Sequence, residues 1–322
     1  MPYYPPRQYQ QPEDHPPHKR NILRRIILLA SILLIAYGAV RLTVYGADLA
    51  SSRRTAQSLR ELAAGTDGAG ETAPAETQEA VSSVPQSTLS PAPAVVLSAE
   101  QPDDAGMLPA VEYPNGYELV PKIQTLRKTS EYIIGWIRMD DLDEPVAMKD
   151  NSFFLNHDAT GKRNSNGAIF MDQGTNLLSR PYTILLYGHN MKTGAMFGNL
   201  RKYEDFSYYY KHRTFRFDTL YEEGEYAIFA VSNISVTPGK AKFVNLTALQ
   251  SMNREKRQRA LDQLIDLSTN KTAVDVNEED QLLLLITCVG DDDERLVVAA
   301  RRLRDREQPD HLQMTAASGR KP

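Results

Sequence analysis

The sequence contains very little cysteine: Cys288 is the single one in 322 residues. A lone cysteine excludes an internal disulfide, so it is a free thiol, a partner for another chain or a small buried side chain. The sequence also lacks a CxxC pair, a glycine-rich phosphate loop and a spaced set of metal ligands. We therefore predict neither a metal nor a cofactor.

The chain has no strong excess of either charge. It has 37 Lys and Arg residues against 41 Asp and Glu residues, giving a formal net charge of −4 and a pI near 5.9. Domains that bind nucleic acid usually carry a strongly basic surface. The charge balance therefore predicts no nucleic-acid partner.

One long apolar run lies near the N-terminus. Residues 26–40, IILLASILLIAYGAV, carry no charge, and the run resumes after Arg41 and continues to Ala47. At about 1.5 Å per residue, a helix over these residues spans roughly 33 Å, enough for a hydrocarbon core of about 30 Å. We predict a transmembrane signal-anchor helix over residues 21–47.

The charges and residues that flank this run predict its orientation and its fate. Four basic residues lie at its N-terminal end: Lys19, Arg20, Arg24 and Arg25. Positive charge stays in the cytoplasm, so the bulk of the chain is predicted to lie outside the cell, anchored to the membrane. The alternative is a cleaved signal peptide, which the absence of a following A-x-A-like site disfavours.

Composition divides the rest of the chain. Residues 1–20 are rich in Pro, Tyr and Gln and are predicted to be a disordered cytoplasmic tail. Residues 48–112 are dominated by Ala, Ser, Thr, Pro, Glu and Gln and are predicted to be a flexible extracellular stalk, with one helical pattern, RRTAQSLRELAA, near its start. Residues 113–308 are predicted to fold, and residues 309–322 to form a disordered C-terminal tail.

The folded region has a mainly β pattern. Eight short apolar segments are separated by Gly, Asp and Asn: GWIRM, EPVAM, GAIFMD, YTILLYGH, TFRFDTL, EYAIFAVSNI, QLLLLITC and RLVVAARRL. This pattern predicts a barrel or a sandwich. Helices are predicted over residues 120–131, within residues 195–203, and within residues 253–268, where apolar residues recur with a period of 3.6.

Two strand ends carry reactive side chains. His189 follows one apolar strand, and Cys288 ends another. If these strands are neighbours, the imidazole and the thiol meet at one rim of the sheet, and Arg295 returns beside them seven residues later. A neighbouring imidazole or cation favours the nucleophilic thiolate, and a guanidinium can stabilise an oxyanion.

Each of these residues also has a structural explanation. A free cysteine is often buried, and a histidine after a strand is often a turn residue. Arg295 could simply pair with the acidic residues at positions 291–294. Taken singly, the three residues establish no function.

The sequence segments around these three residues resemble those of a known family. YGHNMKTGAMFGNL and ITCVGDDDERLVVAARRL are similar to the two signature regions of the sortases, specifically class B. The similarity extends upstream through IIGWIRM and EPVAMKDNSFFLNHDATGKRNSNGAIFMD, and includes the helix in the late β connection. The resemblance implies an eight-stranded sortase-type β-barrel with an N-terminal helix and this added helix, preceded by one transmembrane helix.

The resemblance also implies roles. Cys288 corresponds to the family's nucleophile, His189 to its acid and base, and Arg295 to its arginine. A sortase thiolate attacks the Thr carbonyl of a C-terminal sorting signal, and an amine of a peptidoglycan precursor resolves the thioacyl enzyme. Four further residues correspond to class B substrate contacts: Asn151, Leu155, Tyr187 and Thr287.

Two alternatives to a transpeptidase stay open. One is a catalytically silent, membrane-anchored binding module that holds wall peptides or proteins, and the other is a cysteine protease that uses water as acceptor. The resemblance favours the transpeptidase, with surface proteins and a peptidoglycan precursor as partners. The acidic run at positions 291–294 receives no role from the sequence.

Overall fold

We describe a computed structural model of the protein, covering residues 18–67, 112–288, 293–309 and 312. Residues 1–17 of the predicted tail (1–20), residues 68–111 of the predicted stalk (48–112), and residues 310, 311 and 313–322 of the predicted C-terminal tail (309–322) lie outside the described residues. Residues 18–20 of the first tail are helical. The chain divides into two compact units after Ala50. A single helix, α1 (His18–Asp67), contains residues of both units.

The N-terminal unit exposes its apolar side chains. Leu33 is 70% and Leu34 74% exposed. Of the charged residues in the predicted anchor, Arg24 and Arg25 lie near its start and Arg41 lies six residues before its end. Within the part of the chain that the structure describes, one helix, over Arg24–Thr66, is long and apolar enough to cross a membrane. This span includes residues 24–47 of the predicted anchor (21–47) and continues past it.

The second unit is built on eight strands, and all eight predicted strand segments are confirmed. They are β1 (Ile133–Met139), β2 (Leu142–Ala147), β3 (Ile169–Met171), β4 (Thr183–Tyr187), β5 (Thr214–Thr219), β6 (Glu225–Ser235), β7 (Leu282–Cys288) and β8 (Glu294–Arg302). They close into a barrel in the order β1-β2-β3-β4-β7-β8-β6-β5, with β5 paired to β1. The choice between barrel and sandwich is thus settled in favour of the barrel.

Apart from α1, one helix precedes the first strand, and the others occupy connections between strands. They are α2 (Pro121–Arg127), α3 (Phe206–Lys211) and α4 (Arg254–Asp266), with 3-10 helices at Phe153–Leu155, Gly198–Glu204 and Leu246–Gln250. The helix predicted within residues 195–203 is therefore a 3-10 helix that starts later, because Met196 has a positive φ of 52° and lies outside it. Helix α3, which begins at the capping residue Asp205, was not predicted.

Strand β7 explains the unbroken apolar run before the cysteine. Leu283 and Leu285 pack in the main core with the other inward residues, while Leu284 and Ile286 pack in a second cluster with α4. A strand that is buried on both faces reads as a continuous apolar run and not as an alternating one. Helix α4 supplies Leu261 to this second cluster, so the helical period seen in the sequence marks its buried face.

The helical pattern RRTAQSLRELAA at the start of the predicted stalk is confirmed, whereas its burial was not predicted. Residues 51–67 continue α1, and Ala56, Leu59 and Ala63 are buried in the same unit as the barrel. Their spacing of three and four residues places them on one helix face. Apolar burial on that face explains why this part of the polar segment is ordered helix.

Candidate active site

The two strands that lead to His189 and Cys288 are neighbours. Strands β4 and β7 are parallel, with Tyr187 in register with Ile286. The Gly188 N–H continues the ladder by donating to the Ile286 carbonyl at 3.2 Å. Because parallel strands end at the same edge of a sheet, the backbones of His189 and Cys288 lie at one rim of the barrel.

The arginine returns to the same rim. Strands β7 and β8 are antiparallel, and Cys288 is in register with Arg295. Residues 289–292 and the side chain of Cys288 lie outside the described residues. Arg295 is partly buried, and its Nη1 donates to the Glu294 carbonyl at 2.8 Å.

A backbone carbonyl orients the histidine. His189 is partly buried, and its Nε2 lies 2.8 Å from the Leu155 carbonyl oxygen. A carbonyl oxygen can only accept, so Nε2 carries the hydrogen, and Nδ1 is the unprotonated nitrogen of the neutral ring. This contact assigns the tautomer of the neutral imidazole.

The 3-10 helix that presents this carbonyl is capped by a carboxylate. Oδ1 of Asp150 accepts from the backbone N–H groups of Ser152 at 3.0 Å and Phe153 at 2.9 Å. Hydrogen bonds from Ser152 lower the pKa of Asp150 below its ordinary value. The carboxylate thus satisfies donors at the start of the helix that ends at Leu155.

A glycine packs against both the imidazole and its acceptor. Gly167 has a φ of +65°, and a Cβ at this position would lie 2.4 Å from the Phe154 carbonyl oxygen. The same Cβ would lie 3.0 Å from Cδ2 of His189 and 3.1 Å from the Leu155 oxygen. The loop before β3 therefore approaches the histidine so closely that a side chain would displace one of these groups.

Two of the predicted substrate contacts lie beside Asp172. Asn151 Nδ2 donates to Asp172 at 2.8 Å, and Gln173 N–H donates to Asn151 Oδ1 at 2.8 Å. Tyr187 lies close enough to Asp172 for the carboxylate to act on its hydroxyl. Burial, followed by the Asp172 charge, raises the pKa of Tyr187, and the positive charge of Arg295 partly offsets this rise. Asp172, at the end of β3, thus binds Asn151 and acts on Tyr187.

The other two predicted contacts differ in access. Leu155 is 45% exposed beside the histidine, so a bound peptide could reach its side chain. Thr287 is 2% exposed, and its Oγ1 has no hydrogen-bond partner among the described residues. Its burial favours packing beneath the rim, and its predicted role in peptide contact stays a prediction.

One member of the acidic run has a structural role. Asp293 Oδ1 accepts from Thr237 Oγ1 at 2.7 Å, and its carbonyl accepts from the Val236 N–H at 3.0 Å. These bonds tie the start of the long β6 to β7 connection to the residue just before β8. Positions 291 and 292 lie outside the described residues.

Comparison with known proteins decides the family. The model of the sortase domain matches residues 138–303, slightly more than half of the chain. This chain belongs to the sortase family. The sortase match covers β2 to β8 completely, and it contains His189, Cys288 and Arg295.

The individual relatives of this sortase chain are of class B. Sortase B of Listeria monocytogenes is 36% identical over 118 residues, which cover 35% of this chain and 48% of the relative. Sortase B of Staphylococcus aureus is 30% identical over 166 residues, which cover 51% of this chain and 66% of the relative. The aligned parts thus span about half to two thirds of these curated relatives.

Solved structures match the barrel as well. A Bacillus anthracis protein described as similar to sortase B has a TM-score of 0.51 and 31% identity, covering 61% of this chain and 88% of that one. A Staphylococcus aureus sortase B determined as a substrate complex has a TM-score of 0.51 and 27% identity, covering 58% and 87%. These likenesses agree with the class B resemblance of the motifs.

Sequence reasoning missed three groups at this site. The Leu155 carbonyl is a backbone group, so no residue type in the sequence indicates its role. Asp172 carried a signal, because an acid directly follows an apolar strand. Gly167 carried another, since an Asn-Gly pair before a strand is typical of a turn that requires a positive φ.

Proposed function

We propose that the chain is a membrane-anchored class B sortase that cleaves a C-terminal sorting signal after Thr and transfers the protein to an amine. The observation that best supports the proposal is that β4, β7 and β8 bring three reactive residues to one rim of the barrel. The backbones of Cys288 and Arg295 are in direct register, and the parallel neighbour of β7 leads to His189. Membership of the sortase family supports the same assignment.

In the first half of the reaction, the Cys288 thiolate attacks the carbonyl carbon of the substrate Thr. The tetrahedral intermediate collapses, the peptide C–N bond breaks, and the leaving amine takes a proton from His189 as general acid. A thioester now joins the substrate to Cys288. The guanidinium of Arg295 stabilises the oxyanion, because it is always charged and donates several directed hydrogen bonds.

In the second half, an amine of a peptidoglycan precursor attacks the thioester carbon. His189, now neutral, accepts the proton of the incoming amine, a new amide bond forms, and the carbon–sulfur bond breaks to regenerate the thiolate. The Leu155 carbonyl 2.8 Å from Nε2 holds the ring during both proton transfers. No cofactor is needed to balance these steps.

The peptide would lie along the rim beside the histidine. Leu155 offers an exposed apolar side chain, Asn151 is held by its hydrogen bond to Asp172, and Tyr187 lies beside the same carboxylate. Thr287 would act from below the surface, next to the nucleophile in the chain. The solved substrate complex of the S. aureus relative supports a substrate-binding role for this kind of domain.

Helix α1 would anchor the enzyme. Its apolar stretch supports a single membrane span, and the basic residues before it favour a cytoplasmic N-terminus and an extracellular catalytic domain. Surface proteins with a C-terminal sorting signal would then be the substrates at the outer face. Their sequences are encoded elsewhere.

The test uses the full chain in detergent with a panel of NPxTx-like and LPxTG-like peptides, with and without an added amine. Wild type is expected to cleave a peptide and to join its N-terminal part to the amine. Cys288→Ala is expected to fold and to do neither. Cleavage by Cys288→Ala would refute the proposal, cleavage unaffected by amine would indicate a protease, and no cleavage of any peptide would indicate a silent binding module.

A further inference from the structure

The part of helix α1 from Ser51 onward packs within the catalytic unit along one face. Ala56, Leu59 and Ala63 are 8%, 2% and 0% exposed, and Leu59 and Ala63 belong to the main core. At the far end of this face, Arg60 Nη2 contacts Glu144 Oε1 of β2 at 2.7 Å. The residues from 51 onward are therefore part of the folded unit that holds the candidate site.

The other end of the face meets the loop before β3. Ser51 Oγ accepts from Asn164 Nδ2 at 2.8 Å, and Ser52 Oγ accepts from Asn166 Nδ2 at 3.1 Å. Both asparagine side chains are only 1% exposed. A small cavity of about 20 Å³ lies between helix and loop, with Ser52 and Gly167 in its lining. The two hydroxyls thus hold the loop through buried amides.

The opposite side of the same loop touches the histidine. Gly167 directly follows Asn166, and its missing Cβ leaves just enough room for the His189 ring and the Leu155 carbonyl. The loop is also tied to the carbonyl-bearing segment, since Ala168 N–H donates to the Phe154 carbonyl at 3.0 Å. A shift of Asn166 toward or away from the helix must therefore move the histidine or its acceptor.

We propose that Asn166, held by Ser52 of helix α1, is a positioning residue for His189. This inference rests on the proposed function, in which His189 transfers protons. Asn166 acts through Gly167 and the Leu155 carbonyl and does not itself touch the reacting atoms. The helix after the membrane anchor is then a working part of the enzyme, in a segment whose composition suggests a mere stalk.

The chemistry explains why a small displacement matters. A general acid must lie within hydrogen-bond reach of the leaving amine, at about 2.6–3.2 Å. Misplacing a catalytic group by about 1 Å can cost on the order of 100-fold in rate. Loss of one buried amide contact should displace the catalytic group by less than about 1 Å, so we expect kcat/KM to fall by roughly 10-fold.

The test compares five full-length proteins in detergent: wild type, Asn166→Ala, Ser52→Ala, Ser52→Thr and Ser58→Ala. Ser58 is a matched control, because it lies exposed on the same helix and its Oγ donates to the Arg54 carbonyl. The readout is the pH profile of kcat/KM for a cleaved sorting-signal peptide, with thermal unfolding measured in parallel. A merely structural role would lower the amount of folded protein without moving the pH profile.

We expect Asn166→Ala to lower kcat/KM roughly 10-fold and to shift the limb of the profile that reports His189. Ser52→Ala should lower kcat/KM and shift the pH profile in the same direction, but by less. Ser52→Thr keeps a hydroxyl and should have the kcat/KM and pH profile of wild type, as should Ser58→Ala. If Asn166→Ala does not fold, Ser52→Ala decides. Wild-type profiles in both variants would overturn this inference alone, whereas an inactive wild type would overturn the proposed function on which it rests.

Discussion

The two sides of the candidate site are built in different ways. On one side, β4, β7 and β8 position Cys288, Arg295 and the approach to His189 through continuous backbone ladders. On the other side, the loop around Gly167 and the 3-10 helix at Phe153–Leu155 hold the imidazole through a few individual contacts. We call these the strand wall and the loop wall.

The difference suggests how each wall responds to mutation. Backbone ladders do not depend on particular side chains, so changes in the strand wall should act mainly through packing and stability. The loop wall depends on a carboxylate cap, a positive φ and buried amides, so changes there should act on the geometry of the histidine. Substitutions in each wall test this division between stability and histidine geometry, from the largest expected effect on turnover to the smallest.

The largest effect should come from the group that both walls share. His189→Ala removes the proposed acid and base, which should lower kcat by roughly 10²- to 10⁴-fold while leaving the fold intact. His212→Ala is the control, because this histidine lies elsewhere, 3.4 Å from Asp140, and should retain activity. Peptide cleavage by the full chain measures both, and a small loss in His189→Ala would remove the histidine from the mechanism.

The next largest effect on turnover should come from adding a methyl group to the loop wall. In Gly167→Ala the new Cβ meets two carbonyl oxygens and the His189 ring, so we expect kcat/KM to fall by about 10-fold or more. Unfolding free energy should also fall by about 1–3 kcal/mol because of the strained backbone. Gly116→Ala is a close control, since Gly116 has nearly the same φ of +66° with nothing within 4 Å. Equal activity in the two variants would contradict the loop-wall account.

A cavity in the strand wall should act on stability instead. Leu285→Ala empties a fully buried position in β7 and should lower the unfolding free energy by about 2–5 kcal/mol. Turnover per folded molecule should stay close to that of wild type, because the ladder around Cys288 is made by the backbone. Chemical denaturation and active-site titration separate the two quantities, with the exposed Leu178→Ala as control. A large loss of turnover per folded molecule would show that the strand wall is not a separate scaffold.

The smallest effect on turnover should come from changing Glu144, which contacts Arg60 of α1. Burial raises the pKa of Glu144 to about 7 from an ordinary value of 4.5, while Arg60 opposes the rise. The folded state then binds more protons than the unfolded state between these values, so stability should fall as pH rises from about 4.5 to about 7. Glu144→Gln should abolish this pH dependence, which amounts to about 3 kcal/mol between pH 4.5 and pH 7, with kcat unchanged.

Thermal unfolding at several pH values measures the slope. Glu223→Gln is the control, because it removes an exposed carboxyl that also pairs with an arginine, Arg216 at 3.2 Å. An unchanged slope in Glu144→Gln would refute the assignment. A loss of kcat in the same variant would extend the influence of α1 beyond the loop wall.

The two walls were also unequal in how far they could be predicted. The strands of the strand wall were recognisable because apolar runs and their turn residues are local signals, and the resemblance named His189, Cys288 and Arg295. Strand order required pairing between distant segments, so the residues alone left barrel and sandwich open. Register then brought Cys288 opposite Arg295, a relation that no local pattern contains.

The loop wall was largely invisible because its contacts are made by backbone atoms and small polar side chains. Nothing in NSFFLNHD indicates that the Leu155 carbonyl accepts from a histidine 34 residues later. The helix over residues 53–64 was indicated by its sequence pattern, but the burial of Ala56, Leu59 and Ala63 was not, because Ala and Ser at helical spacing do not show which surface covers them. The substrate roles of Asn151, Leu155, Tyr187 and Thr287 stay predictions.

The central claim is that Cys288 carries the substrate during transfer. Its most direct test is mass spectrometry of the full chain, incubated with a sorting-signal peptide without amine and then digested. The account predicts that the Cys288-containing fragment gains the mass of the N-terminal peptide portion through a thioester, which added amine removes. Cleavage of the peptide with no adduct on that fragment, or an adduct on any other residue, would contradict it.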